Sequence, residues 1–304
     1  MTPTRRSVLA AALGAAAAPA GLPALAQGAP LLRKPIPSSG EMIPIIGLGS
    51  ARRYEEMKPG EDVTPLRDTW RRFQQLGGTV VDTAPSYGQA EAIMGGLMAD
   101  LSIRPGLFVG TKVGVDNIEQ GRAQIDASFR NLRTDRLDLI AVHNLRDITA
   151  ELAYLRDLKA AGRVRYVGAT TSFDRQYEAF EAMMRRETLD SIQIDYALDN
   201  RNAADRIIPL ARDRGMAVFI NLPFGRGSVF RATQGKPLPE WASEIDVMTW
   251  PQFMLKYIVS HEAVTCAVPG MAQARYVDDN LGAARGRLPD AAMRRRMEQF
   301  IDGL

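Results

Sequence analysis

The stretch Leu137-Asp138-Leu139-Ile140-Ala141-Val142-His143 decides the architecture. It is a short, almost unbroken apolar run. Leu152, Leu155 and Leu158 follow at helical spacing, and Val164 to Ala169 then makes a second run of the same kind. Strand, amphipathic helix and strand in that order form a parallel unit, whose strands are buried on both faces and so lack the polar alternation of a half-exposed sheet. Further apolar, β-rich runs occur at Ile43 to Leu48, Thr79 to Asp82, Leu107 to Thr111, Ser191 to Tyr196, Ala217 to Leu222 and Val264 to Val268. Helical spacing fills the intervals, as in Leu66, Trp70 and Phe73, or Ile125, Phe129 and Leu132. Eight strand–helix units in about 250 residues predict an α/β fold, a (β/α)8 TIM barrel in a single domain, because doubly wound sheets usually stop at five or six strands. Gly47-Leu48-Gly49 runs on into Ser50-Ala51-Arg52, so no GxGxxG follows the first strand, and no P-loop is present. An N-terminal hairpin around Leu31 to Ile43 is expected to plug the barrel bottom, and a terminal helix to start near Pro289. The stretch Gly225 to Trp250, between strands seven and eight, is long for a connection on the ligand-binding rim.

Composition narrows the chemistry. The 304 residues are 46% hydrophobic and 24% charged, which excludes a disordered or collagen-like chain. Cys266 is the sole cysteine and there are two histidines, so disulfides, CxxC redox pairs and cysteine- or histidine-clustered metal sites are not expected. Residues 1–26 read as a cleaved signal peptide. Arg5 and Arg6 form its positive start, Val8 to Ala18 its small-apolar run, and Ala24-Leu25-Ala26 its processing site. Thr4-Arg5-Arg6-Ser7-Val8-Leu9 fits the twin-arginine pattern, an address for proteins exported already folded. The domain order expected is therefore a signal at 1–26, a linker and hairpin at 27–42 and the barrel at 43–304. The expected partners and place are the twin-arginine export machinery and the periplasm or another exported location, with no stable membrane span after cleavage. Removing Arg5 and Arg6 brings the net charge from +3 to +1. No mature segment carries a dense basic block interleaved with aromatics, so no nucleic-acid partner is expected, and Met293-Arg294-Arg295-Arg296 reads as one face of the terminal helix.

In such a barrel the residues that close each strand form the active site. Strands two, three and four close at Asp82, Lys112 and His143, one strand–helix unit apart, and Tyr87 follows Asp82 in the loop Thr83-Ala84-Pro85-Ser86-Tyr87-Gly88. Singly, each has an ordinary structural use: a turn cap, a snorkelling lysine, a core histidine, a packed loop aromatic. Together they compose a proton-donor assembly. The Lys112 charge is expected to lower the Tyr87 pKa, Asp82 to keep Lys112 charged and fixed, and His143 to hydrogen-bond the same carbonyl oxygen that Tyr87 protonates. No paired carboxylates, metal ligands or nucleophile–base pair close the strands, which disfavours lyase or hydrolase chemistry without a cofactor.

The run Val81 to Gly88 with Glu91 and Gly95, then Gly110-Thr111-Lys112, and Ser128 to Leu139 closing at His143, resembles the aldo/keto reductase superfamily. Gly162 to Gly168, Gln193 with Tyr196, and Val268-Pro269-Gly270 leading to Asp279-Asn280-Leu281 extend the resemblance from Ile43 to Ala284. It implies NAD(P)H-dependent reduction of a small aldehyde or ketone, or the reverse alcohol oxidation, by hydride transfer. Tyr87 would be the general acid, supported by Lys112, Asp82 and His143. It also implies cofactor contacts at Thr170, Gln193, Gly270, Asp279 and Asn280, with NADP favoured over NAD. The pattern departs from the family at several points. Thr170-Thr171 replaces a Ser-Asn pair, and Asn221 stands where a stacking aromatic is usual. Gly270-Met271 replaces the Lys-Ser of the 2′-phosphate clamp, and Arg275, one place from the usual arginine, is the expected cofactor-binding substitute, because a guanidinium can reach a phosphate from a neighbouring position. These departures keep open a second reading, a non-catalytic nucleotide- or ligand-binding accessory protein of the same fold. Arg52, Arg53 and Tyr54, with Phe224, Arg226, Phe230 and Trp241, are the expected pocket walls, suiting an acidic or polyhydroxylated substrate. Export of the folded chain would let a dinucleotide leave inside it and be recycled without release.

Overall fold

The structure, a computed structural model, describes residues 29–58 and 60–304. The signal expected at 1–26 lies outside the described residues. The chain opens with a hairpin, β1 (Arg33–Pro35) antiparallel to β2 (Met42–Pro44). Eight parallel strands follow: β3 (Leu48–Gly49), β4 (Val80–Asp82), β5 (Phe108–Val113), β6 (Leu137–His143), β7 (Val164–Thr170), β8 (Ser191–Asp195), β9 (Ala217–Asn221) and β10 (Cys266–Ala267). They lie side by side in chain order. The bridges Ile46 to Ala267 and Gly49 to Gly270 join the first strand to the last, so the sheet curls closed in the manner of a (β/α)8 barrel.

Strand one is shorter than the run Ile43 to Leu48 suggests. Its first two residues, Ile43 and Pro44, belong to the hairpin, because β2 pairs with β1 there, and only Leu48–Gly49 pairs with β4. The hairpin extends past residue 42 for that reason. Ile36 and Ile43 pack with Val80, Phe108, Leu139, Tyr166, Phe219 and Cys266, the inward-facing residues of the barrel strands, and close its N-terminal end.

The principal helices are α1 (Thr64–Gln75), α2 (Ala90–Asp100), α3 (Ile118–Asn131), α4 (Ile148–Ala160), α5 (Tyr177–Arg186), α6 (Ile207–Asp213), α7 (Ser228–Thr233), α8 (Trp250–Val259), α9 (Ala274–Gly282) and α10 (Ala291–Asp302). The alternate strand residues, such as Val81, Val109, Ile140, Val167, Ile192 and Val218, face these helices in a second, larger core. Leu66, Trp70 and Phe73 of α1, and Leu152, Leu155 and Leu158 of α4, are buried there as their spacing predicts. The stretch Gly225 to Trp250 is more ordered than a plain loop, since it contains α7 and a 3-10 turn at Glu240–Ile245. The terminal helix starts after Asp290, whose carboxylate accepts from the Met293 amide. Among the described residues no helix is long and apolar enough to cross a membrane.

Two of the family-like residues serve packing. Glu91 is buried and accepts from Thr111 Oγ1 at 2.6 Å, tying α2 to β5. Gly95 lets α2 meet the end of α3 so closely that an added Cβ would stand 2.0 Å from the Asn131 carbonyl oxygen. Gly95→Ala should therefore cost about 1–3 kcal/mol in urea unfolding, because backbone must move to admit one methyl. Glu151 of α4 is fully buried against Gly121 of α3, and among the described residues neither carboxylate oxygen has a hydrogen-bond partner. Burial, and after it the Asp147 charge, raise its pKa to about 7. The folded state thus holds a proton that the unfolded chain releases near its ordinary carboxylate pKa, and this contribution to stability fades as pH rises from about 4.5 to 7. Glu151→Gln should stabilise the protein relative to wild type more at pH 8 than at pH 5, as read from paired unfolding curves.

Candidate active site

The inward column of each strand begins with apolar side chains and ends with polar ones. Two or four residues beyond Val80, Phe108, Leu139, Tyr166 and Phe219, and so on the same face, stand Asp82, Lys112, His143, Thr170 and Asn221. Register aligns them. Asp82 pairs with Gly110, Lys112 with Ala141, and His143 with Thr170. From Asp82 to Lys112 and from Lys112 to His143, the next ionisable residue lies two places beyond the partner of the last, and an even step preserves the face. Tyr87 enters from the loop after β4, where the Tyr87 amide donates to the Ala84 carbonyl and Gly88 turns with φ +54°. A Cβ at Gly88 would lie 2.9 Å from the Glu55 carbonyl oxygen, so the turn needs glycine.

All four expected catalytic residues border one cavity of about 600 Å³ at the C-terminal rim, within the usual range for a small-molecule site. Lys112 Nζ donates to Asp82 Oδ1 and Oδ2 at 2.9 and 2.8 Å and to the Thr83 carbonyl at 2.7 Å. The ammonium is therefore fully satisfied. Its side chain is 3% exposed, and that of Asp82 16%. Burial is the largest influence on Lys112 and opposes its charge, but Asp82, Tyr87 and Glu91 outweigh it and hold the pKa above the ordinary value. Lys112 Nζ stands 5.4 Å from the Tyr87 ring centroid. It is the largest single influence on the phenol and favours ionisation, as expected. Burial and the negative charges of Asp82 and Glu55 nevertheless win, so the Tyr87 pKa is raised, not lowered. Burial of the phenol is the largest of the opposing influences, and Asp82 adds to it by offsetting part of the Lys112 charge. Burial, then the Lys112 and Arg146 charges, hold His143 down at about 4. Its ring is neutral across the physiological range, with one N–H to donate.

The expected cofactor residues divide. Gly270 borders the cavity, as does Thr171. Thr170 and Gln193 are buried and bonded to each other, Thr170 Oγ1 donating to Gln193 Oε1 at 3.1 Å, and are not among its lining residues. Asp279 Oδ1 accepts from Thr249 Oγ1 at 2.5 Å, and Asn280 is buried in α9. Arg275 is exposed, its guanidinium 5.0 Å from the centre of the Tyr276 ring. Met271 is buried, and its carbonyl accepts from Tyr54 Oη at 3.1 Å, so no side chain replaces the Lys-Ser clamp there. Among the expected pocket walls, Arg52, Phe224, Arg226 and Phe230 line the cavity. Arg53 instead pairs with Glu61, Tyr54 is buried and accepts from Trp70 Nε1, and Trp241 packs on Phe253 and Phe300.

Sequence reasoning missed Ser50, Asn144 and Gln176. Among the described residues Ser50 Oγ, Asn144 Oδ1 and Asn221 Oδ1 are buried beside the cavity with no protein partner, which leaves their hydrogen-bonding capacity open to a bound molecule. Gln176 accepts from Thr171 Oγ1 at 2.5 Å and donates to the Asn144 carbonyl at 3.2 Å, joining the loops after β6 and β7. It restores an amide close to where the Ser-Asn pair is missing. Asn144 carries a signal of its own, since it follows His143 directly and adopts φ +58°, a conformation asparagine tolerates. Among the described residues no group of three or more His, Cys, Asp or Glu is placed to hold a metal ion.

A closed parallel sheet with helices outside and an ionisable cluster at its C-terminal rim defines a barrel enzyme. The aldo/keto reductase family model matches residues 46–300, and the chain belongs to that family, one of NAD(P)-dependent oxidoreductases. It is 26% identical over 248 residues to aldo-keto reductase YhdN of Bacillus subtilis, covering 76% of this chain and 73% of that protein. It is also 26% identical over 242 residues to the NADH-specific methylglyoxal reductase of Escherichia coli, covering 68% and 73%. The fold matches the holo form of aldo-keto reductase AKR11C1 from Bacillus halodurans with a TM-score of 0.70 at 23% identity, over 89% of this chain and 96% of that one. It matches an aldo/keto reductase from Klebsiella pneumoniae in complex with NADP and acetate with a TM-score of 0.71 at 20% identity, over 86% and 93%.

Breaking the buried ion pair from one side should be costly. Asp82→Asn is expected to lower stability by about 3 kcal/mol, and the double variant Asp82→Asn/Lys112→Met to recover part of that loss, both measured by urea unfolding.

Proposed function

We propose that this protein reduces a small aldehyde or ketone, or oxidises the corresponding alcohol, with Tyr87 as general acid and Asp82, Lys112 and His143 supporting it. The observation that carries this reading is the convergence of those four side chains on one rim cavity in a member of the aldo/keto reductase family. The nicotinamide cofactor supplies or accepts the hydride. The protein supplies the proton and the geometry. Tyr87, protonated at neutral pH, gives its proton to the carbonyl oxygen as negative charge develops there. The neutral His143 ring donates a hydrogen bond to the same oxygen and aligns it. Lys112, fixed by Asp82 and the Thr83 carbonyl, stabilises the tyrosinate left behind.

The unpartnered Asn144, Asn221 and Ser50 atoms fit a ligand rich in amide and hydroxyl groups, as a nicotinamide ribose is. Thr171, tied to Gln176, and Gly270 would border it, and Arg275 is the basic side chain offered to an adenosine phosphate. Relatives and structural neighbours include an NADH-specific enzyme and an NADP complex, so either nucleotide is compatible with this reading. The accessory-protein alternative loses weight because the four-residue constellation is intact.

The leader pattern at residues 1–26 supports export in the folded state by the twin-arginine route, with the periplasm as destination. A bound dinucleotide recycled between two substrates would then replace a soluble pool. Protein recovered from the periplasm of its own host should carry nucleotide; recovery without any would sink this part of the proposal.

Tyr87→Phe should lower carbonyl reduction by about 10²- to 10⁴-fold while leaving NADH and NADPH binding, followed by nicotinamide fluorescence, unchanged. Unaltered turnover would refute the assignment of Tyr87. Because its pKa is raised, the wild-type reduction rate should hold through neutral pH and decline only under alkaline conditions as the phenol ionises.

A further inference from the structure

A cavity of about 490 Å³ lies at the opposite end of the barrel from Tyr87, where β5, β6 and β7 begin. Four arginines border it, each from a different element: Arg33 from the hairpin strand β1, Arg104 from the turn before β5, Arg136 from the position before β6 and Arg165 from β7. Two carboxylates, Glu41 and Asp138, oppose these four cations, so two positive charges are left over. Both carboxylates are already committed. Asp138 is buried and accepts from the Val109 amide at 2.7 Å, from Arg165 Nη1 at 2.7 Å and from Arg104 Nη2 at 3.2 Å. Glu41 accepts from Arg165 Nη2 and from Tyr166 Oη at 2.6 Å. Arg104 is anchored further by the carbonyls of Leu107 and Arg136, at 2.9 and 2.6 Å.

The other two arginines lack such partners. Among the described residues the Arg136 side chain makes no ion pair and no hydrogen bond, and that of Arg33 makes only one bond, from Nη1 to the Met42 carbonyl at 3.1 Å. We infer that this cavity binds a small, doubly charged oxyanion, held chiefly by Arg33 and Arg136. A guanidinium meets an oxyanion through parallel, charge-assisted N–H bonds, and two uncommitted guanidiniums match a charge of two. The bound anion would join the hairpin that closes the barrel bottom to the start of β6. Phosphate groups and dicarboxylates share this chemistry and differ in geometry, since a phosphate gathers its oxygens around one atom while a dicarboxylate presents them at two ends. The site is independent of the carbonyl-reductase reading, because no residue of the rim cavity contributes to it.

The test titrates inorganic phosphate and, separately, malonate into the full chain by calorimetry, at fixed ionic strength with chloride as the reference anion and at a pH where phosphate is doubly charged. The titrations are repeated on Arg33→Gln, Arg136→Gln and Arg275→Gln. At least one of the two anions should bind at a site that each of the first two variants weakens by about tenfold or more, and that Arg275→Gln, on α9, leaves unchanged. Arg136→Lys keeps the charge without the planar fork and should retain part of the affinity. The bound anion should also raise the thermal unfolding midpoint of the wild type and not that of Arg136→Gln. Without anion those two midpoints should coincide, since the Arg136 side chain holds no partner in the fold. Tighter binding of phosphate assigns the site to a phosphate-bearing ligand, and tighter binding of malonate to a dicarboxylate. Three results overturn the inference: neither anion binding beyond the effect of chloride, wild-type affinity in either the Arg33→Gln or the Arg136→Gln protein, or loss of binding in Arg275→Gln, which would place the anion at the nucleotide's end of the barrel.

Discussion

The amide of Gly47 donates to the Ala267 carbonyl at 2.8 Å, and that of Gly49 to the Pro269 carbonyl at 2.9 Å. These bonds close the sheet, and the position of every rim loop follows from them. Closure needs two glycines. A Cβ at Gly47 would stand 2.9 Å from the Val80 carbonyl oxygen, and one at Gly49 would stand 2.6 Å from that of Val268. Without the seam, the loop after β3, which carries Arg52, would have no fixed relation to Gly270 or to the loop after β9. A barrel is cooperative in this sense: its last strand pairing orients residues that are far apart in the chain.

Within the closed sheet, chemistry is separated from packing by parity. Outward residues are aliphatic and bury the helices, while inward residues change from apolar to ionisable along each strand. The buried pair of Asp82 and Lys112 sits at that change. Its desolvation is offset only because Lys112 finds three acceptors at 2.7–2.9 Å. Beside the pair, burial together with the Asp82 and Glu55 charges outweighs Lys112 and leaves Tyr87 with a raised pKa and so protonated. Lowering of the phenol pKa would follow from Lys112 alone; the opposing carboxylates and burial reverse it.

Outside the inward columns, loops do the specialising. The φ +58° and +60° residues Asn144 and Leu145, and the run Gly225, Arg226 and Gly227, bend two loops toward the cavity. Gln176 ties the loops after β6 and β7 together through Thr171 and Asn144. The region after β10 is plainer, with Met271 buried, Asp279 engaged by Thr249 and Arg275 exposed on Tyr276.

How much of this was legible in the chain depends on range. Strand–helix alternation, the inward parity of Asp82, Lys112 and His143, and the packing role of helical leucines are local periodicities, and local sequence determined them. So did the family motifs, whose spacing is set by the length of one strand–helix unit. The division of Ile43 to Leu48 between a hairpin and a barrel strand was not legible, because pairing partners, and not propensity, assign those residues. Nor was the choice between Arg52 and Arg53: adjacent arginines read alike until Glu61 takes one of them. The sequence alone determined the strand–helix order and the residue types at the strand ends. The tertiary structure decided their electrostatic state and which side chains remain uncommitted at the rim, because burial and pairing depend on neighbours contributed from across the whole barrel.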